Sequence, residues 1–225
     1  MNSYQNVINR VALPFLIYAL CFSLFLGTAV FSVLIVIAVA LWLISGEWAI
    51  KLAAIKHHPV VLSSLILLGL ITLGLLWSHV SWPEKLPMYM KYHKLLYIPI
   101  VVSILQTDLQ RKYALNAFLI VSIIILLISY GKLLGVIPFH DEGMGYVVTR
   151  NRIAHGIFMA FAAFLMMRRM AKHHGSYRWT WAVLALLAIA NIMFLVNGRT
   201  GQLIMIALIT LFIWQQLGLK SIKYF

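Results

Sequence analysis

Residues 11–44 read VALPFLIYALCFSLFLGTAVFSVLIVIAVALWLI, a stretch with no Lys, Arg, His, Asp or Glu. One straight helix of that length would reach roughly 50 Å, against a bilayer hydrocarbon core of about 30 Å. Gly27-Thr28 offers a break near the middle, and the sidedness of every later loop depends on whether the chain turns there. A hairpin with a cytoplasmic N-terminus gives the inner side Arg10, Lys51, Lys56, Arg111, Lys112, Arg168, Arg169, Lys172, Arg178, Lys220 and Lys223. The outer side then receives Lys85, Lys91, Lys94, Lys132, Arg150, Arg152 and Arg199. That distribution is 11 inside and 7 outside, whereas one unbroken helix gives 8 inside and 10 outside. Lys and Arg prefer the cytoplasmic side, so the hairpin is the expected arrangement.

The rest of the 225-residue chain follows the same pattern. Hydrophobic residues make up 63% and charged residues 10%, with a mean hydropathy of +0.96. A soluble domain carries roughly 25% charged residues, too many to be supplied here. The apolar runs are roughly 7–26, 28–46, 59–77, 92–106, 113–134, 153–170, 179–196 and 201–218. They predict an all-α, polytopic transmembrane bundle of about eight helices in one domain over residues 1–225, with both termini cytoplasmic. Pro99 is expected to kink the short fourth run.

No signal-peptide pattern is evident, because the run after Arg10 is too long for an h-region. The single cysteine, Cys21, excludes an intrachain disulfide and leaves the redox compartment open. A net charge of +13 raises nucleic acid as a partner, but the cations flank apolar runs and build no soluble basic face. The expected partner surface is phospholipid.

The seven outer cations run against the usual bias, and the outer loops hold only Glu84, Asp141 and Glu142 to offset them. Unpaired cations at the membrane boundary suit an anionic ligand, phosphate above all. Three segments carry six of them, all but Lys132: Trp77 through Lys94, rich in interfacial Trp and Tyr; the long loop from Gly135 to Arg150-Asn151-Arg152; and Asn197-Gly198-Arg199-Thr200-Gly201. In the last, Gly198 and Gly201 permit a tight turn and Thr200 is placed to cap the next helix. The first amides of that helix would then face whatever Arg199 binds.

No acid lies in the middle of a predicted span, which counts against an ion-coupled transporter. No serine sits in a nucleophile-elbow context. His140, Asp141 and Glu142 are adjacent in a glycine-containing loop, a poor arrangement for a shared ion, so no metal is expected. His57-His58 and His173-His174 read as solvated loop residues. His79, His93, His140 and His155 lie on or near the outer face as candidate acids or bases.

Trp77-Ser78 after a Leu-rich helix, Lys91-Tyr92-x-Lys94-Leu95-Leu96 before a Pro-containing helix, and Asn197-Gly198-Arg199-Thr200-Gly201 before another helix resemble the N-terminal half of O-antigen ligases. The resemblance implies a metal-independent, inverting glycosyltransferase of the bacterial inner membrane, without cofactor, acting on the periplasmic face in lipopolysaccharide biosynthesis. Its donor is an undecaprenyl-diphosphate-linked glycan and its acceptor the lipid A core. A related O-antigen polymerase passes the glycan to another carrier-linked chain instead. Arg199 matches the family's arginine before a transmembrane helix, Arg150 or Arg152 a second phosphate ligand, and Lys91 or Lys94 a weaker one. The family's general-base histidine belongs to a large periplasmic loop in the C-terminal half and is expected beyond Phe225. The alternative from another class is a non-catalytic facilitator or lipid-binding scaffold.

Overall fold

The computed structural model describes residues 7–24, 28–56, 58–138, 145–148, 151–196 and 198–217. Gly27, His57, His140, Asp141, Glu142, Arg150 and Asn197 lie outside the described residues. Among those described the regular structure is helical, apart from one isolated antiparallel bridge between Gly145 and Val196.

The chain divides into two compact units, Met1–Leu20 with Ser32–Ala114, and Cys21–Phe31 with Leu115–Phe225. Ten α-helices follow in order. They are α1 (Leu13–Ser23, after a π-helical turn Ile8–Ala12), α2 (Thr28–Ile44), α3 (Trp48–Lys56), α4 (Pro59–Trp77) and α5 (Trp82–Tyr89). Then come α6 (Tyr97–Ile104, after a 3₁₀ turn His93–Leu96), α7 (Asp108–Leu133), α8 (Arg152–Lys172), α9 (Ser176–Ala190, continued by a π turn Asn191–Leu195) and α10 (Arg199–Gln216).

Four helical stretches are long and apolar enough to cross a membrane: Pro59–Trp77, Asp108–Leu133, Arg152–Lys172 and Ser176–Leu195. A fifth crossing results if Ala29–Ile44 and Trp48–Lys56, bent by 116° from one another, form one broken span. Ile8–Ser23 and His93–Ile104 are apolar but shorter, and α10 begins and ends in polar residues. The α4 side chains show what surrounds such helices. Leu70 is 60% and Leu76 74% exposed, and a helix that is apolar all round yet largely uncovered suits lipid rather than water.

In the first unit, α2 gives way to α3 at Gly46 (φ 67°) and Glu47 (φ 56°). These two left-handed residues redirect the chain. Glycine adopts that conformation freely, whereas an L side chain there costs roughly 1–2 kcal/mol. Inside the bend Lys51 Nζ donates to the Trp42 carbonyl at 2.8 Å and to Ser45 Oγ at 2.5 Å. Asn9 Nδ2 donates to the Ser45 carbonyl at 3.0 Å. Pro59 opens α4 at its first position, where a missing N–H costs no bond. Lys85 closes its far end by donating to the carbonyls of Ser78 at 2.7 Å and Leu75 at 3.3 Å. The expected kink at Pro99 is replaced by a change of helix type: the 3₁₀ turn ends at Leu96, and Pro99 falls in the first turn of α6. N–H groups there have no intrahelical acceptor, so none is lost.

The second unit is built around α8. Its buried Met159, Ala160, Ala162, Ala163, Met166 and Met167 pack with Phe118, Leu119 and Leu126 of α7, Ala185 and Ala188 of α9, and Met205 of α10. Small residues on α8 let its neighbours approach closely, which is how helices associate where no water drives them together.

Candidate functional site

Arg152 and Arg199 are the first residues of α8 and α10. Asn151 caps α8, its side chain accepting from the Ile153 N–H at 2.9 Å. Gly198 precedes α10 without a side-chain cap, so the opening amides of that helix keep their donor capacity. Two glycines bring these helix starts together. A Cβ built on Gly201 would lie 2.8 Å from the Gly156 Cα, and one on Gly156 would lie 3.1 Å from the Gly201 Cα. A Cβ on Gly198 would lie 3.7 Å from the Arg152 carbonyl oxygen. Gly156 is one turn into α8 and Gly201 two residues into α10. Both arginines therefore stand within roughly 6 Å, along their helix axes, of the point where the backbones touch.

Both are exposed, and among the described residues neither guanidinium has a hydrogen-bond or ion-pair partner. The other end of α8 differs. There Arg168 donates to Gln215 Oε1 at 2.8 Å. Arg169 donates to Asn116 Oδ1 and lies 4.7 Å from the centre of the Trp181 ring. Arg168 and Arg169 at one end of the helix are tied to protein, while Arg152 at the other is exposed and has no such partner among the described residues. Two helix starts, each opening on an arginine, lie together there, and each carries a positive dipole end.

Beneath the arginines runs a buried polar chain. His155 Nε2 is 3.2 Å from Asn191 Oδ1. Because an amide oxygen only accepts, that imidazole nitrogen carries the proton in this contact. Asn191 Nδ2 donates to Ser129 Oγ at 2.7 Å, and Ser129 donates to the Tyr146 carbonyl at 2.7 Å. His155, Asn191 and Ser129 are each 0% exposed. The chain joins α8, the π turn, α7 and the loop at 145–148. That loop is held further by Tyr146 N–H to the Leu195 carbonyl at 2.8 Å and by Lys132 Nζ to the Val147 carbonyl at 2.9 Å. The π turn carries Asn191 into this chain and ends with Val196 N–H on the Asn191 carbonyl at 3.1 Å.

Several expected roles change. Thr200 makes no cap, because α10 begins one residue before it. Gly198 has an ordinary negative φ of −141°, and Gly201 is needed inside the helix for contact with Gly156 rather than for a turn. His155, expected on or near the outer face, is fully buried within the second unit. Lys91 and Lys94 are both exposed and belong to the first unit, whereas Arg152 and Arg199 belong to the second. Two of the seven cations expected on the outer side are occupied by backbone carbonyls: Lys85 at the end of α4 and Lys132 at Val147. Among the described residues no three His, Cys, Asp or Glu side chains come together as metal ligands.

Sequence reasoning missed the buried chain. Its signal was present: Ser129, His155 and Asn191 are neutral polar residues inside apolar runs, where each must find a partner. In comparisons with known proteins, no family model, no curated protein and no solved structure matches the chain.

Proposed function

We propose that this protein binds a polyprenyl-diphosphate-linked glycan through Arg152 and Arg199, as an O-antigen ligase-like glycosyltransferase of the bacterial inner membrane. In this reading eight helical segments enter or cross the bilayer, both termini are cytoplasmic, and the two arginines face the periplasm. The observation that carries it is the Gly156–Gly201 contact, which holds two helix starts together with two unpartnered guanidiniums. A diphosphate offers acceptor oxygens on two phosphorus atoms, and a planar guanidinium can engage one phosphate in a bidentate manner. Helix N-termini add amide donors and a positive dipole end. The same groups have a chemical use. In glycosyl transfer the diphosphate leaves, and fixed positive charge beside it stabilises the charge that develops.

The acceptor in this reading is the lipid A core. A polymerase would use the same donor site with a carrier-linked acceptor, so donor binding tests what both share. Binding of a polyprenyl diphosphate to purified, detergent-solubilised protein should weaken about tenfold or more in Arg199→Gln and in Arg152→Gln, since one charged hydrogen-bonding partner is worth about 1.5–3 kcal/mol. Wild-type affinity in both variants would remove the donor site. A facilitator would instead catalyse solute uptake into proteoliposomes that neither substitution changes.

A further inference from the structure

In the first unit, beside the α2–α3 bend, lies a cavity of about 470 Å³ whose lining includes Arg10, Lys51, Glu47, Asn9, Gln106 and Gln110. It shares no residue with the Arg152–Arg199 pair. Lys51 is only 3% exposed, and its ammonium is positioned by neutral groups. These are the Trp42 carbonyl, the Ser45 hydroxyl, and the rings of Trp42 and Trp48, whose centres lie 5.2 and 5.1 Å away. Such partners orient a charge without balancing it. Glu47, one turn earlier on the same lining, attracts Lys51 electrostatically but makes no direct ion pair with it. Among the described residues the one ion pair is Arg111 with Asp108, at 3.1 Å. The cavity wall therefore carries two cations and one carboxylate, an excess of one positive charge around a nearly buried ammonium. Burying a charge is costly unless it is paired.

The neutral side chains on the lining are held in place as well. Asn9 and Gln106 are oriented by bonds to the carbonyls of Ser45 and Ser103, at 3.0 and 2.8 Å. Gln110 uses its Oε1 to accept from the Thr107 N–H at 3.1 Å, which leaves its NH₂ as a donor. Ser103, also on the lining, accepts from Trp42 Nε1 at 2.8 Å. A volume of about 470 Å³ falls in the range of small-molecule sites and exceeds what a bare ion fills.

We infer that this cavity is a second anion site, for a singly charged phosphodiester. Lys51 and Arg10 hold its non-bridging oxygens, Gln110 donates to it, and Glu47 limits the net charge accepted to one. That chemistry is found in an anionic phospholipid headgroup and in a soluble glycerophosphodiester.

The test uses the purified full chain in neutral detergent with two probes, phosphatidylglycerol followed by native mass spectrometry and glycerophosphoglycerol followed by calorimetry. Arg10→Gln, at an exposed position, should weaken binding about tenfold, and Glu47→Gln should tighten it severalfold because it removes the one opposing charge. Lys51→Gln should abolish binding, and circular dichroism would show whether that variant keeps its helices. The charge-dependent pattern with phosphatidylglycerol alone identifies a headgroup site; the same pattern with glycerophosphoglycerol identifies a soluble-ester site. Both outcomes uphold the inference. Equal affinities of wild type, Arg10→Gln and Glu47→Gln for both probes, or binding of neither, would overturn it.

Discussion

Asn191 uses both ends of its amide, accepting from His155 and donating to Ser129, at a position with no exposure to solvent. Leucine has nearly the same volume and neither function. In Asn191→Leu the His155 Nε2–H and the Ser129 oxygen would each lose a partner while remaining buried, and an unsatisfied buried polar group costs about 1–3 kcal/mol. The variant should therefore unfold earlier in a denaturant titration in detergent, by about that amount or more. Ser129→Ala should cost less alone. Combined with Asn191→Leu it should add less than its separate cost, because the two residues share one bond. Additive losses would show that the chain of bonds is not coupled. Arg152 and Arg199 stand apart from it, since they need no internal partner to be stable at a wet boundary. Their location was readable from sequence because charge at the end of an apolar run is conspicuous. His155 was harder to place: only the fold shows that position 155 faces Asn191.

At the scale of elements, the crossing of α8 and α10 rests on hydrogen atoms where other residues have side chains. Gly201→Ala would place a methyl 2.8 Å from the Gly156 Cα, and a backbone atom cannot step aside as a flexible side chain does. Overpacking of this kind costs about 1–3 kcal/mol, and the enforced separation of the helix starts should weaken diphosphate binding as well. Gly198→Ala is the internal comparison: its new methyl would meet nothing closer than 3.7 Å, and an alanine cap costs under about 1 kcal/mol. Thermal unfolding of the two variants side by side checks the ranking; equal stability would remove the close crossing. The crossing was not legible in advance, since the two glycines are distant in sequence and Gly201 read naturally as part of a turn. Helix limits were more legible where hydropathy changes abruptly. The run 153–170 became Arg152–Lys172, but the run 113–134 began too late because the first turn of α7 is polar. Thr107 and Gln110 mark that start by reciprocal bonds, Gln110 N–H to Thr107 Oγ1 at 3.3 Å and Thr107 N–H to Gln110 Oε1 at 3.1 Å, a capping box that spacing alone could have revealed. The short helices α3 and α5 are too brief for a periodic pattern to stand out.

For the molecule as a whole, sidedness decides what the arginines can meet. Composition points to a membrane chain, because a chain with 10% charged residues cannot build a water-facing surface, and the lengths of the apolar runs point to helices. Orientation depended on a finer balance, the distribution of 18 basic residues about a break at Gly27-Thr28. Charge bias of this size sets topology when the cations lie close to the span ends. The proposed orientation can be read directly. With Cys21 replaced by alanine the background carries no thiol, so single cysteines report their side of the membrane. Glu84→Cys and Thr200→Cys should react in intact spheroplasts with a membrane-impermeant maleimide. Ser176→Cys, at the exposed start of α9, should react only after permeabilisation. Thr200 is adjacent to Arg199, so labelling there also measures access to the proposed donor site, and saturating polyprenyl diphosphate should slow it. The reverse labelling pattern would turn Arg152 and Arg199 toward the cytoplasm, where a periplasmic glycan donor cannot reach them. The donor proposal would then fail whatever the arginine substitutions did to binding in detergent.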